Sequence, residues 1–149
     1  MASTLMSAPA VRPLTRRDRT VATWRNLTLW TLQGWVAMFF IAAGYAKLTE
    51  PMANLIDLMI WPAMAPENLV RGLGLAEVVL ALMLLAPLTS WKVGRPLLVA
   101  GAIGLVVLET AMLGVHALGG DFGLAVVNAV LLAFTGPVLW MRAREPERA

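Results

Sequence analysis

Four apolar runs of about twenty residues each decide what this chain can become. They are Leu27 to Ala46, Leu69 to Ala86, Leu97 to Leu118, and Phe122 to Met141. A hydrocarbon core about 30 Å thick is crossed by about 20 helical residues. In such a solvent every backbone polar group must be satisfied within the segment, so each run is expected as a membrane-spanning helix. Breakers separate them: Pro62 and Pro66, then the stretch from Pro87 to Pro96, then "GGD" at Gly119 to Asp121. The last gap is short enough to make the third and fourth helices an antiparallel hairpin. Composition agrees. The chain is 14% charged and 59% hydrophobic, with a mean hydropathy of +0.73, where soluble domains are about a quarter charged.

The basic residues sit between the apolar runs rather than in a nucleic-acid patch. Arg12, Arg16, Arg17, Arg19, Arg25, Lys92, Arg95, Arg142, Arg144 and Arg148 fall at one end of the expected bundle; Lys47 and Arg71 fall at the other. This asymmetry predicts a multi-pass protein with both termini cytoplasmic, and the membrane expected is a bacterial cytoplasmic (inner) membrane. Trp24, Trp30, Trp91 and Trp140 fall near the same boundary, where tryptophan anchors. The twin arginine ahead of the first run resembles an export signal, but the run is longer than a signal core and is read as a retained helix. There are no cysteines, which excludes disulfides, thiol chemistry and cysteine-ligated metal.

Residues 1–26 read as a disordered basic tail and 142–149 as a second basic tail, both cytoplasmic. In the first external loop, Met52, Leu55, Ile56, Met59 and Ile60 recur at helical spacing after Pro51. A short amphipathic helix ending at Trp61 is expected there, lying at the outer interface or packed over the bundle top. The fold class is therefore an all-α membrane protein: a four-transmembrane-helix bundle over 27–141 with a short interfacial helix in the first external loop.

The polar residues inside the spans point to a site. At 1.5 Å per residue, Lys47, Arg71, His116 and Asp121 lie within about one turn of the outer surface, Asn128 about 9 Å deep, Glu77 about 12 Å and Glu109 about 13 Å. Residues seven apart share a helix face, and Gln33, Phe40 and Lys47 form one such line. Glu109 with His116, and Asp121 with Asn128 and Thr135, form two more. A glutamate facing lipid is costly, so these edges are expected to face inward. Lys47, Arg71, Glu77, Glu109, His116 and Asn128 are thus the candidate ligand pocket, open to the outer side. Within it Glu77 is expected as the ionised partner of Lys47 or Arg71. Glu109 is expected as the proton-bearing neighbour of Glu77, with His116 two turns above it. The alternative is structural glue, in which polar pairs only hold helices together. A metal site is disfavoured because Glu109 and His116 are about 10 Å apart along the axis, where metal-binding bundles use a closer Glu-x-x-His pair. Haem is disfavoured by the single histidine near the surface. No nucleophile–base pair, phosphate loop or nucleotide motif occurs, which points away from an enzyme.

Three stretches carry a family resemblance. "FFIAAGYAKLTEP" at Phe39 to Pro51 contains Gly44 and Lys47 of an "aG-x-x-Kl" helix end. "LVRGLGLAEVVLALMLLAP" contains Arg71, Gly74 and Glu77 of an "R-x-x-G-x-x-E" opening. "VHALGGDFGLAVVNAVLLAF" contains His116 and Gly119 of an "H-x-x-G-(D/E)" turn, with Gly120 shifting Asp121 by one position. Together, over about Phe39 to Arg142, the chain resembles the DoxX-like family of small membrane proteins. Glu109 has no counterpart in that pattern. The resemblance implies a four-helix bundle and, for function, an accessory subunit of a quinone-linked membrane redox system. Such a subunit would bind no covalent cofactor; it would contact quinone in the outer pocket or anchor a redox-enzyme partner. A small proton- or cation-coupled transporter working through Glu77 and Glu109, and a membrane chaperone or stress-linked structural protein, are the alternatives. Small residues at Ala100, Gly101, Ala102 and Gly104 allow either a homodimer contact or internal packing.

Overall fold

The computed structural model describes residues 15–145. Five α-helices carry the chain: α1 Arg16–Thr49, α2 Met52–Met59, α3 Glu67–Leu85, α4 Trp91–Leu118 and α5 Phe122–Arg144. All but α2 are long and apolar enough to cross a membrane. They pack as antiparallel neighbours in chain order, α1 on α3, α3 on α4 and α4 on α5. The seam between α1 and α5 is the least extensive of the helix contacts that close the bundle. Val36, Phe40, Ala81, Leu84, Ala102, Leu105 and Leu131 make the central core. Trp35, Met38, Leu75, Leu82, Ile103, Val107 and Val126 are exposed on the outside, the side that faces lipid.

Two boundaries differ from the sequence reading. The first tail does not run to residue 26, because α1 starts at Arg16. Thr15 Oγ1 accepts from the Asp18 N–H and the Asp18 carboxylate accepts the Thr15 N–H, a reciprocal cap that starts the helix well before the apolar run. At 34 residues α1 is about 50 Å long, longer than the hydrocarbon is thick, and its exposed first turns project beyond it. The expectation for residues 1–14 lies outside the described residues. The second tail does not begin at Arg142, because α5 continues through Arg144 and Arg142 is completely buried.

The external loop forms the expected short helix. Leu55 of α2 is buried against Trp61 and Val70, with Met52, Met59 and Met112 around them, so α2 packs over the bundle top. Ile60 does not extend the apolar face. It ends the helix at φ 62° and is exposed. A β-branched residue is strained in that region.

Glycines set the distance between α1 and α3. A Cβ placed on Gly44 would stand 2.5 Å from the Gly74 carbonyl and 2.8 Å from Val78; one on Gly74 would stand 2.8 Å from the Gly44 carbonyl. The two helices therefore cross backbone to backbone. Gly44→Val is expected to destabilise the protein by about 1–3 kcal/mol through overpacking, read as a lowered midpoint of thermal unfolding in detergent. An unchanged midpoint would show that the crossing tolerates separation.

Candidate functional site

The α1/α3 crossing assembles the outer polar site. Side chains on a helix lean toward its N-terminus. Lys47 therefore leans inward from α1, and Glu77, on the antiparallel α3, leans outward. They meet: Lys47 Nζ donates to both Glu77 oxygens, at 2.9 and 2.8 Å, and both residues are buried. Arg71 lies further out on α3, nearly two turns before Glu77. Its Nη1 donates to the carbonyls of Lys47 and Glu50 and its Nε and Nη2 to Glu67. These carbonyls belong to the end of α1, where the last carbonyls have no intrahelical donors of their own, so Arg71 caps α1.

The turn between α4 and α5 supplies the other wall. Gly120, at φ 78°, supplies the left-handed residue of a helix-ending motif. In that motif the Asp121 N–H donates to the His116 carbonyl and the Gly120 N–H to that of Ala117. The inserted glycine thus lets Asp121 do two things. Its Oδ1 caps α5 by accepting from the Leu124 N–H, and its Oδ2 faces His116 Nδ1 at 3.4 Å. His116 is buried and Asn128, half-buried, donates to the Leu124 carbonyl.

Between these walls lies a cavity of about 80 Å³, lined by Lys47, Glu77, His116 and Asn128 together with apolar residues that include Phe39, Met59, Trp61 and Met112. Four of the six expected pocket residues converge on it. Arg71 and Glu109 do not line it. Phe39, Val127 and Leu131 also line a second space of about 270 Å³, an apolar groove along the α1/α5 seam completed by Trp35, Val126, Val130 and Phe134. The polar cavity and the apolar groove are neighbours that share these three walls, and the groove lies on the lipid-facing side of the bundle.

A family model for DoxX-like proteins matches residues 31–138. The chain belongs to the DoxX-like family. No curated relative and no solved structure matches it. The geometry gives the DoxX-like spacing a physical reason. Gly44 and Gly74 let the helices touch, which brings Lys47, three residues after the one, to Glu77, three residues after the other. Arg71, three residues before Gly74, then reaches the end of α1.

The expectation that Glu109 shares the pocket with Glu77 is not met. Glu109 is completely buried between α4 and α5, where its Oε1 lies 2.8 Å from Thr135 Oγ1. Thr135 Oγ1 also lies 2.9 Å from the Leu131 carbonyl. One hydroxyl hydrogen cannot serve two acceptors. Both contacts are satisfied when Glu109 carries a proton and donates to Thr135, which donates to Leu131. Glu109→Gln preserves that chain of donors. It is expected to change stability by no more than about 0.5 kcal/mol, whereas Thr135→Val, which strands the buried carboxyl, costs about 1–3 kcal/mol. Thermal melts of the two variants side by side test this. A Glu109→Gln protein as unstable as the Thr135→Val protein would refute the protonated assignment.

The sequence reading missed a second polar cluster, at the arginine-rich end. Arg142 Nη1 donates to Asn26 Oδ1 and to the Glu145 carboxylate, each at 3.1 Å. Its guanidinium lies 5.1 Å from the Trp30 ring and 5.2 Å from the Trp91 ring, a cation–π arrangement on two sides. Arg95 of α4 donates to the carbonyls of Arg142 and Ala143 and caps α5, as Arg71 caps α1 at the other end. The heptad lines themselves carried the signal. Asn26 continues Gln33, Phe40 and Lys47 by one step, and Arg142 continues Asp121, Asn128 and Thr135. Arg95 stands two steps before Glu109.

Proposed function

We propose that this DoxX-like protein is an accessory subunit of a quinone-linked membrane redox system, and that its outer cavity and the α1/α5 groove hold the head and tail of an isoprenoid quinone. The adjacency of a polar cavity and a lipid-facing apolar groove, which share Phe39, Val127 and Leu131, carries this reading. Small-molecule sites run from about 300 to 1,000 Å³. The polar cavity alone is too small for such a ligand and suits a head group. Cavity and groove together reach the lower end of the range.

The polar lining offers what a quinone head needs. Lys47 gives Glu77 two of its three ammonium hydrogens and Asn128 gives Leu124 one of its two amide hydrogens, so each retains a donor for a quinone carbonyl. His116 turns Nδ1 to Asp121 and retains Nε2 as an acceptor for a quinol hydroxyl. The quinone would supply the electron chemistry; the chain would bind and orient it and supply hydrogen bonds at the two oxygens. Against the transporter alternative, Glu77 is engaged by Lys47, and Glu109 by Thr135 away from the cavity.

We place the protein in a bacterial cytoplasmic membrane with the arginine-rich end inside, following the distribution of positive charge, and expect a redox-enzyme partner. Purification in mild detergent followed by solvent extraction and mass spectrometry tests the ligand. A co-purifying isoprenoid quinone is expected, lost when Val130→Trp fills the groove. A wild-type protein that arrives without quinone, from cells that contain it, would overturn the reading.

A further inference from the structure

A second cavity, of about 360 Å³, opens at the opposite, arginine-rich end of the α1/α5 seam. Arg25 lines it from α1, and Trp140, Met141 and Arg144 from α5, with Glu145 just beyond that helix. Its charge is unbalanced. Glu145, the one acid among the described lining residues, is already bonded to Arg142. Arg25 and Arg144 have no hydrogen-bond or ion-pair partner among the described residues. Two cations from different helices thus converge on one space in which the described residues place no free carboxylate.

The site is also shaped. The Arg144 guanidinium stacks on the Trp140 ring at 3.6 Å. Stacking fixes the plane of the group and leaves the N–H donors at its edge for a planar or tetrahedral anion. Depth identifies the source of that anion. Trp24 and Trp140 are 66% and 61% exposed; Trp140 lines the cavity and Trp24 directly precedes Arg25. Tryptophans near the ends of spanning helices are enriched at the level of the lipid head groups. Basic pockets between spanning helices at this level accept anionic lipid head groups.

We propose that Arg25 and Arg144 bind the phosphate of an anionic phospholipid from the leaflet at this end of the bundle, with Trp140 holding Arg144 in place. The site is independent of the quinone reading, which concerns the other end of the molecule.

The test is native mass spectrometry of the full chain in detergent, titrated with phosphatidylglycerol or with phosphatidylcholine. Preferential retention of phosphatidylglycerol is expected. Arg25→Gln and Arg144→Gln should each weaken it about fivefold, and the double variant roughly 25-fold. Arg16→Gln/Arg17→Gln, an equal loss of charge on exposed turns of α1, should leave it unchanged. Melting temperatures confirm that the variants remain folded. Millimolar inorganic phosphate should not displace the lipid. Equal retention of the two lipids, equal weakening by the Arg16/Arg17 pair, or displacement by inorganic phosphate would each overturn the proposal. The last two would indicate diffuse charge or a soluble-anion site.

Discussion

Lys47→Met and Glu77→Gln should each destabilise the detergent-solubilised protein by about 3–5 kcal/mol, while Lys47→Met/Glu77→Leu should recover most of the loss. The reason is desolvation. Lys47 and Glu77 are 5% and 3% exposed, so removing either leaves the other as an uncompensated charge in the bundle. Removing both leaves two apolar side chains in an apolar setting. The pair also lies where Gly44 and Gly74 admit little rearrangement, so neither partner can retreat to water cheaply. Midpoints for the four proteins form a double-mutant cycle, and a large favourable coupling is expected. Additive effects would mean that the two charges are solvated independently.

Arg142→Ala should cost about 3–5 kcal/mol, as much as a core truncation, because it removes a long buried side chain together with the charge facing Glu145. Arg142→Lys should recover only part of this. It keeps the charge but loses the planar group that lies between Trp30 and Trp91 and the fork that reaches Asn26 and Glu145. Lys92→Ala, an exposed cation at the same end, is the control and should shift stability by less than about 0.5 kcal/mol. If Arg142→Ala melts like Lys92→Ala, the cluster does not hold α1, α4 and α5 together.

Spans and faces were legible in the sequence for a simple reason: bilayer thickness fixes helix length, and the cost of exposing polar groups to lipid fixes which face turns inward. Gln33, Phe40, Lys47, Glu109, His116 and Thr135 all lie buried on the lines that heptad spacing drew. What depth and face do not determine is the partner. Glu77 and Glu109 are buried at similar expected depths, yet one bonds across the α1/α3 crossing and the other across α4/α5. That choice depends on helix order around the bundle, which spacing along one chain does not encode. Arg71 was near the right place, but its guanidinium was taken by Glu67 and by carbonyls at the end of α1. Arg142 was hidden by its neighbours: a basic run after an apolar helix reads as a tail. The apolar groove beside the cavity was not legible either, because it arises from the looser packing of the first helix against the last.

The outer cavity and the α1/α5 groove are proposed to form one ligand site. The most direct measurement is tryptophan fluorescence in nanodiscs during titration with a short-chain ubiquinone analogue, since Trp35 lines the groove and Trp61 the cavity. Saturable quenching is expected, with the amplitude reduced by Trp35→Phe and the affinity weakened roughly tenfold by Asn128→Leu, the loss of one hydrogen bond. Quenching that rises linearly with quinone in the bilayer, identical in the wild-type and Asn128→Leu proteins, would rule out such a site.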